Sequence, residues 1–425
     1  MTTGSEIGTV IMAIGFLALV TLLGSAMVRP EDRRWLPTVV ALGYLAKLVG
    51  TAARYWVLQV VYGGSGDARG YHGSGTRLND IWRSLQVPEF ELGTEFVDIA
   101  TGLLYVPYEP TFFGGFVVFA TLAFLGQILL YAAFRHVARP DLWKWYALAA
   151  FFYPTLVYWP SSIGKEALML LFIGVAAYGV ARLLAAFDLA GITMLLAGLA
   201  GGAAIRPHIP LLIIGALFPT VLVAKGAARS GISRRIIVLG TSGLLLVALV
   251  ALSAQDLNFD LAAVESEEGL DSEIDALATR VSDRTDSGGS TVEGSLPQSP
   301  AELPAAFLKV LFRPLPYEAT SLVLLAASVE GTLLLAIVLW RLPAIVRSLP
   351  RIRRQPYALF SLLYTFGFVF AFSTISNLGV LARQRTQVVP FLLAALVLLR
   401  WRKDEPAPAE GPLPVATARQ LVAAP

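Results

Sequence analysis

The residues most able to do chemistry lie in a glycine-rich stretch, Gly63–Asp80, which follows a long apolar run. Its sequence, GGSGDARGYHGSGTRLND, contains carboxylates at Asp67 and Asp80 and an imidazole at His72. A carboxylate within hydrogen-bond reach of a hydroxyl can accept its proton as a general base. We therefore predict that Asp67 is the base for an incoming hydroxyl. Asp80 and His72 are candidates for positioning the acceptor or a divalent cation.

Further charged side chains lie beside apolar runs in four other short segments. They are Lys165 and Glu166, Arg206, Arg313, and the pair Arg383 and Arg385. Charges near hydrocarbon are expensive and are usually paired or functional. Arginine forks fit phosphate oxygens and lysine acts as a point charge, so the basic members are predicted to bind a lipid phosphate or pyrophosphate. Glu166 is a second candidate for holding the acceptor or a cation.

The segment that contains Lys165 also predicts that backbone N–H groups contribute to the anion site. Ser161 and Ser162 precede a helix that is expected to begin near Lys165. A helix N-terminus offers free backbone N–H groups and the positive end of the helix dipole to an anion. The predicted phosphate site would then combine backbone donors with cationic side chains.

The composition identifies the kind of protein that must position these residues. The chain has 425 residues, of which 56% are hydrophobic and only 15% are charged, whereas soluble domains carry about 25% charged residues. It has no cysteine, which excludes disulfides, thiolate catalysis and Cys–Zn sites. The three histidines are scattered along the chain, and no metal site is predicted. The chain is predicted to be an all-α, polytopic integral membrane helix bundle.

About 20 apolar residues are needed to cross a bilayer as a helix, and that criterion gives about eleven candidate spans. They lie near 7–28, 36–61, 113–134, 145–160, 166–186, 189–205, 209–224, 236–253, 319–340, 357–375 and 386–400. Together they form a predicted transmembrane domain over residues 1–403. Residues 404–425, rich in Pro and Ala, are predicted to be a disordered cytoplasmic tail.

The placement of Lys and Arg predicts the orientation of these spans, since basic loops are usually cytoplasmic. Alternate loops are basic, near residues 29–34, 135–144, 182, 225–235, 341–354 and 400–403. The N-terminus is therefore expected outside and the C-terminus in the cytoplasm. Two long segments would be outer loops, a catalytic loop at 62–112 and an acidic loop at 254–318. Short amphipathic pieces at Asn79–Leu85 and Val97–Tyr105 are expected to lie in the membrane interface.

Three segments, GDARGYH, YPTLVYWPSSIGKEA and NLGVLARQRTQVVPF, within this topology resemble the GT-C superfamily of polyprenyl-phosphate-dependent glycosyltransferases. They also resemble the multi-span polysaccharide polymerases of bacterial envelopes. The resemblance implies a membrane bundle in a bacterial plasma membrane that transfers a sugar from undecaprenyl or decaprenyl phosphate at the outer face. The acceptor would be an envelope glycan or a lipid-linked acceptor. Some members need a divalent cation, so such an ion is a candidate cofactor.

Other functions remain open at this point. A transporter or flippase of lipid-linked or anionic solutes would have inverted repeats and charges near the bilayer midplane. We find no repeat, and the predicted site charges cluster at one face, which favours an enzyme. A non-catalytic membrane scaffold is a third interpretation. Membrane lipids are expected partners, and nucleic acid is not.

Each candidate residue also has an interpretation that involves no ligand. Asp67 can be a solvated turn carboxylate and Asp80 a helix N-cap. The cationic residues can extend to the lipid headgroups from the ends of spans.

Overall fold

The protein is all-α in a computed structural model that describes residues 3–89, 93–186, 188–224, 232–257, 276–283, 285, 291–292 and 294–399. Within those ranges there is no β-strand, and one isolated bridge joins Thr291 to Asn377. The mean hydropathy of +0.66 is therefore carried by helices, as a membrane environment requires of any spanning backbone.

The helices are numbered here in chain order. They are α1 Thr3–Ala26, α2 Leu36–Trp56, α3 Asp67–Arg83, α4 Thr94–Leu104, α5 Phe112–Val137, α6 Pro140–Phe152, α7 Pro154–Tyr158, α8 Lys165–Ala185, α9 Leu189–Ala203, α10 His208–Val223, α11 Ile232–Leu257, α12 Leu303–Phe312, α13 Leu322–Ser348, α14 Pro356–Phe372, α15 Leu378–Gln384 and α16 Val389–Leu398. A π-helical turn, Val57–Val61, continues α2.

Five described helices are long and apolar enough to cross a membrane: α1, α2 with its π-helical turn, α5, α8 and α13 with its 3₁₀ extension. A sixth span results if α15 and α16, which are bent by 57° at their junction, cross together. These helices indicate a membrane protein. The expected count of eleven is not confirmed, because the other apolar helical segments, among them the Val238–Ser253 part of α11, have only 10–17 residues. Near 145–160 the expected span is divided at Pro154, since proline lacks the N–H that would continue α6.

Helices α5 and α8 form the centre of the bundle. Their spans are 83% and 72% buried, whereas α1 is only 17% buried and lies at the periphery. The two central helices approach backbone to backbone at Gly126 and Gly174. A Cβ added at either glycine would lie 2.3 Å from a carbonyl oxygen of the other helix, so only glycine permits this spacing.

A buried ion pair fixes the relative directions of the first spans. Asp32, between α1 and α2, is 2.9 Å from Arg135 near the end of α5, and Tyr131 also donates to this carboxylate. The start of α2 and the end of α5 therefore share one end of the bundle. The end of α2, the start of α5 and the connection between them lie at the opposite end.

The glycine-rich stretch differs from the irregular loop that its composition suggests. From Asp67 onward it is helical as α3, which packs against α4. Both helices are amphipathic, and buried Tyr71 and Val97 contribute to the core. Amphipathic helices are thus present at both expected pieces, but the first is much longer than Asn79–Leu85.

Parts of two sequence-based expectations fall outside the described residues. The predicted tail at 404–425 lies there, and so does most of the stretch 258–290 within the predicted acidic loop at 254–318. The described part of the acidic segment packs on the chain before α15, where the Val292 N–H donates to the Ser376 carbonyl at 2.7 Å.

We expect Gly126→Ala to destabilise the bundle by about 1–3 kcal/mol, the usual cost of overpacking a dense core. The new methyl group would collide with the Leu170 carbonyl oxygen on α8. Thermal unfolding of the purified protein in detergent measures the effect. Gly215→Ala is the matched control, because a Cβ at Gly215 has no neighbour within 4 Å. Equal melting temperatures for the two variants would contradict the close α5–α8 contact.

Candidate functional site

A cavity of about 410 Å³ lies at the end of the bundle where α2 ends and α3, α5 and α8 begin. Small-ligand sites typically measure roughly 300–1,000 Å³. The charged residues that line it are Arg54, Asp67, Lys165, Glu166, Arg206 and Arg383. Five of these six, all except Arg54, were predicted from the sequence as site residues, and those five come from four separate segments of the chain.

A glycine turn positions Asp67 at the cavity. After the π-helical end of α2, the backbone φ angles of Gly63, Gly64 and Gly66 are +58°, +76° and +154°. This region strongly favours glycine. The turn reverses the chain and places Asp67 in the first turn of α3, where the helix dipole favours a negative charge.

A broken helix positions Arg383 opposite Asp67. The Asn377 side chain caps α15 by accepting the Val380 N–H at 3.0 Å, and α15 ends one residue after Arg383. The chain then bends into α16, which has Pro390 in its first turn. Broken helices are tolerated at membrane depth where they are buried in protein or line a cavity.

Salt bridges and hydrogen bonds connect these elements across the cavity. Arg383 Nη1 is 3.3 Å from Asp67 Oδ2, and Arg383 Nε is 3.2 Å from Glu166 Oε1. Arg206 Nη2 is 3.1 Å from the same Glu166 oxygen, and its Nη1 donates to Gln384 Oε1 at 2.7 Å. Asp67 is 70% exposed, whereas Glu166 is 11% exposed. The buried carboxylate therefore orients the two arginines, and the exposed one remains accessible to a ligand.

The first turn of α8 supplies the predicted helix N-terminus. Gly164, with φ +154°, precedes Lys165 and lines the cavity together with Ser162. Lys165 Nζ donates to Thr94 Oγ1 at 2.9 Å, which links α8 to α4. Residues at this helix N-terminus and a lysine thus line the same space as the two arginines, an arrangement that suits an anion.

The cavity lining has more cationic than anionic side chains. Four cationic and two anionic side chains line it, and the Asp98 carboxylate interacts electrostatically with Lys165 from outside the lining. One of the cations, Arg54, lies over the rings of Tyr158 and Trp159 at 5.3 and 4.9 Å. No carboxylate in the described part of the chain forms an ion pair with it.

One wall of the cavity is apolar, formed by Leu58, Phe116 and Ile163. Next to Leu58, Val60 and Val61 are 62% and 54% exposed at the end of a helix that is long and apolar enough to span a membrane. Apolar side chains exposed at that place are suited to contact with lipid. The site can thus accommodate a molecule with both an anionic head and a hydrocarbon part.

Tyr71 adds a neutral donor to the cavity lining. Burial, together with the charges of Asp67 and Glu166, raises the pKa of its phenol. It therefore stays protonated at neutral pH and can donate a hydrogen bond to a phosphate or a sugar.

Two predicted catalytic residues, His72 and Asp80, do not line the cavity. His72 shares a 2.8 Å hydrogen bond between its Nδ1 and the Tyr105 hydroxyl, which holds α3 against the end of α4. Asp80 is exposed and lies 13 residues after Asp67 in the same helix. At 1.5 Å per residue the two carboxylates are separated by about 20 Å along the helix axis, too far to act on one hydroxyl.

The predicted phosphate binders Arg313 and Arg385 also lie elsewhere. Arg313 pairs locally with Glu318. Arg385 is buried, donates to the Val310 carbonyl at 3.0 Å and interacts electrostatically with Glu330 on α13. Both arginines therefore have partners within the protein that do not touch the cavity.

No group of three His, Asp or Glu side chains that could hold a metal occurs within the described ranges. The two carboxylates of the cavity, Asp67 and Glu166, are both engaged by Arg383.

Sequence reasoning missed Arg54, Tyr71 and Thr94 as lining residues. The sequence shows Arg54 as a charge inside an apolar run. That pattern also fits a side chain that extends to the membrane interface, so it did not identify Arg54 as a site residue. Tyr71 lies four residues after Asp67, which is one helical turn. It would have been found if the stretch had been recognised as a helix.

Comparisons with known protein families, with characterised proteins and with solved structures found no match for this chain. The function must therefore be inferred from the geometry of the site.

We expect Glu166→Gln to lower the free energy of unfolding by about 3 kcal/mol, because it leaves two partly buried arginines, Arg206 and Arg383, without their shared carboxylate. The matched control is Asp141→Asn, which breaks the exposed Arg139–Asp141 pair and should cost less than about 1 kcal/mol. Thermal unfolding in detergent compares the two variants. A Glu166→Gln protein as stable as the control would show that the carboxylate does not hold the arginines together.

We expect His72 to make the α3–α4 layer sensitive to acid. Burial and the nearby charge of Arg69 lower the pKa of His72 in the folded protein. As the pH falls, His72 is therefore protonated in the unfolded state at a higher pH than in the folded state. The stability that this group contributes is present above about pH 6.5, its unfolded pKa, and is lost as the pH falls through that value towards the folded pKa.

The measurement is the drop in melting temperature between pH 7.5 and pH 5.5. We expect it to be smaller in His72→Gln than in the wild-type protein, because glutamine does not titrate. His136 and His208 contribute equally to both proteins. An identical drop in the two proteins would contradict the role of His72.

Proposed function

We propose that this protein is an integral membrane glycosyltransferase that uses a polyprenyl-phosphate-linked sugar as donor and an envelope glycan or lipid-linked sugar as acceptor. The observation that carries the proposal is the cavity that brings together Asp67, Lys165, Arg206 and Arg383 beside an apolar wall. A carboxylate facing several cations next to exposed span residues suits a lipid phosphate and an incoming hydroxyl.

In the proposed reaction the acceptor hydroxyl oxygen attacks the anomeric carbon of the donor sugar. Asp67 takes the hydroxyl proton, and the bond between the anomeric carbon and the phosphate oxygen breaks with its electron pair left on that oxygen. Preorganised cations stabilise the charge that develops there. Asp67 also loses its charge in this step, so Arg383, which is 3.3 Å away, is released to act on the phosphate.

The proposal also assigns the cavity to one side of the membrane. The loops at the end of the bundle opposite the cavity carry Arg29, Arg33, Arg34 and Arg139, and the preference for basic cytoplasmic loops supports placing the cavity at the outer face of a bacterial plasma membrane. The N-terminus would be outside and the C-terminus inside. Eleven crossings fit this arrangement if α6 with α7 and α15 with α16 each form one crossing, and α9, α10, α11 and α14 each cross a thinned bilayer.

The position of the charges supports group transfer over transport. The cavity lies at helix ends, whereas transporters typically bind their substrates near the middle of the membrane between inverted repeats. A flippase for lipid-linked or anionic solutes remains the second candidate. Its activity would not require the carboxylate at Asp67.

We expect Asp67→Asn to reduce sugar transfer by at least about 100-fold, since loss of a general base typically costs that much, while protein levels in the membrane stay normal. Asp80→Asn, on the same helix but far from the cavity, should retain near wild-type activity. The assay is complementation of a deletion strain, with lipid-linked and surface glycans analysed by mass spectrometry. A normal glycan profile with Asp67→Asn would exclude Asp67 as the base.

A further inference from the structure

The connection between α14 and α15 is buried, which is unusual for a polar segment that joins two helices. None of its residues is more than 8% exposed; they are Ser373, Thr374, Ile375, Ser376 and Asn377. Connections usually run over the surface, where water satisfies their backbone groups. A buried backbone N–H or carbonyl needs a partner in the protein instead, so the partners of this connection identify what covers it.

The partners of Ser376 come from the acidic segment. The Ser376 N–H donates to Thr285 Oγ1 at 3.0 Å, and its hydroxyl donates to the Ser282 carbonyl at 2.7 Å. The Ser376 carbonyl accepts the Val292 N–H at 2.7 Å. The backbone donor, the backbone acceptor and the side chain of one buried residue are therefore all bonded to the same distant part of the chain.

Close packing accompanies these hydrogen bonds. A Cβ added at Gly294 would lie 2.3 Å from the Thr374 carbonyl oxygen, so the two backbones are in direct contact. We call Ser282, Thr285, Val292 and Gly294 the strap. From the opposite direction in the chain, Lys309 of α12 donates to the Ser373 carbonyl at 2.6 Å.

The strap is important for the cavity because α15 is a very short helix. It has seven residues, and isolated helices shorter than about 12 residues are only marginally stable. Its position therefore depends on what holds its two ends. Asn377, which follows Ser376, caps the first turn, and Arg383 near the other end reaches Asp67 and Glu166.

We propose that Ser376 is a positioning residue for the cavity, held by the strap so that α15 directs Arg383 towards Asp67 and Glu166. Ser376 lies six residues before Asn377's helix ends in Arg383, and it acts through that helix without contacting a ligand. The inference goes beyond the proposed function, because it assigns a role to the acidic segment whichever anion the cavity binds. Without the strap, the start of α15 opens and Arg383 loses its fixed direction.

The test is hydrogen–deuterium exchange, measured by mass spectrometry on the full chain in lipid nanodiscs. The readout is the exchange rate of the backbone amides in residues 378–387, because local opening governs this rate. Thr285→Val keeps the shape of the side chain but removes the hydroxyl that Ser376 contacts. We expect exchange to be about fivefold faster, as the loss of a buried hydrogen bond would give.

A conservative variant separates the hydrogen bond from packing. Thr285→Ser restores the hydroxyl and lacks only the methyl group, so its exchange rate should be close to that of the wild-type protein. Gly294→Ala adds a methyl group against the Thr374 carbonyl and should accelerate exchange as Thr285→Val does. The matched control is Ser299→Ala, which removes a hydroxyl of the same segment that donates to Glu302 and should leave exchange in 378–387 unchanged.

The same variants are then compared by complementation, with glycans analysed by mass spectrometry. We expect Thr285→Val to reduce transfer and Thr285→Ser to restore it at equal protein levels.

The outcomes separate this inference from the proposed function. Wild-type exchange in both Thr285→Val and Gly294→Ala would overturn the strap, and equally fast exchange in Thr285→Ser and Thr285→Val would overturn the role of the hydrogen bond. Faster exchange with normal glycans would overturn the positioning role. If deletion of the whole protein leaves glycans unchanged, the proposed function fails, and the exchange rates still decide whether the strap holds α15.

Discussion

The site depends on one buried carboxylate. Glu166 lies between Arg206 and Arg383, two cations that would otherwise repel each other in a region with little water. By satisfying both, it makes their close approach stable and fixes where their remaining N–H groups point. Arg383 can then reach Asp67, and Arg206 can reach Gln384. Removal of the carboxylate would eliminate the ion pair between Arg383 on α15 and Glu166 on α8. It would also disturb the cavity.

The apolar bundle gives this ion network its strength. Helices α5 and α8 pack at Gly126 and Gly174 with backbones in contact, which holds the first turn of α8 rigidly at one end of the bundle. The glycine turn after α2 and the bend between α15 and α16 bring the other charges to the same place. A low local dielectric makes each charge interaction larger than it would be in water, so a small number of residues defines the site.

Much of the site could be predicted because expensive charges beside hydrocarbon are rare and visible. Asp67, Lys165, Glu166, Arg206 and Arg383 were all found in this way. Arg385 was grouped with Arg383 because it is only two positions away, but two residues on a helix turn the side chain through about 200°. It therefore faces Val310 and Glu330 instead of the cavity. Asp80 and His72 were included because the glycine-rich stretch was taken as a loop.

Composition and hydropathy were enough to predict an all-α protein, but they were not enough to predict the number of spans. Counting apolar residues cannot detect a break such as the one at Pro154, and it cannot distinguish a short buried helix from a crossing. Arg54 shows the same limit for the site. A single charge in an apolar run has two explanations of similar weight, and only the three-dimensional position relative to Trp159 and the cavity decides between them.

The most direct test of the central claim is a cryo-EM structure of the protein in nanodiscs that contain a polyprenyl-phosphate-linked sugar. Our account predicts phosphate density in the cavity within hydrogen-bond distance of Arg206 and Lys165, the sugar next to Asp67, and the lipid chain along the end of α2. A lipid phosphate bound at another place on the protein, with the cavity holding only water, would contradict it.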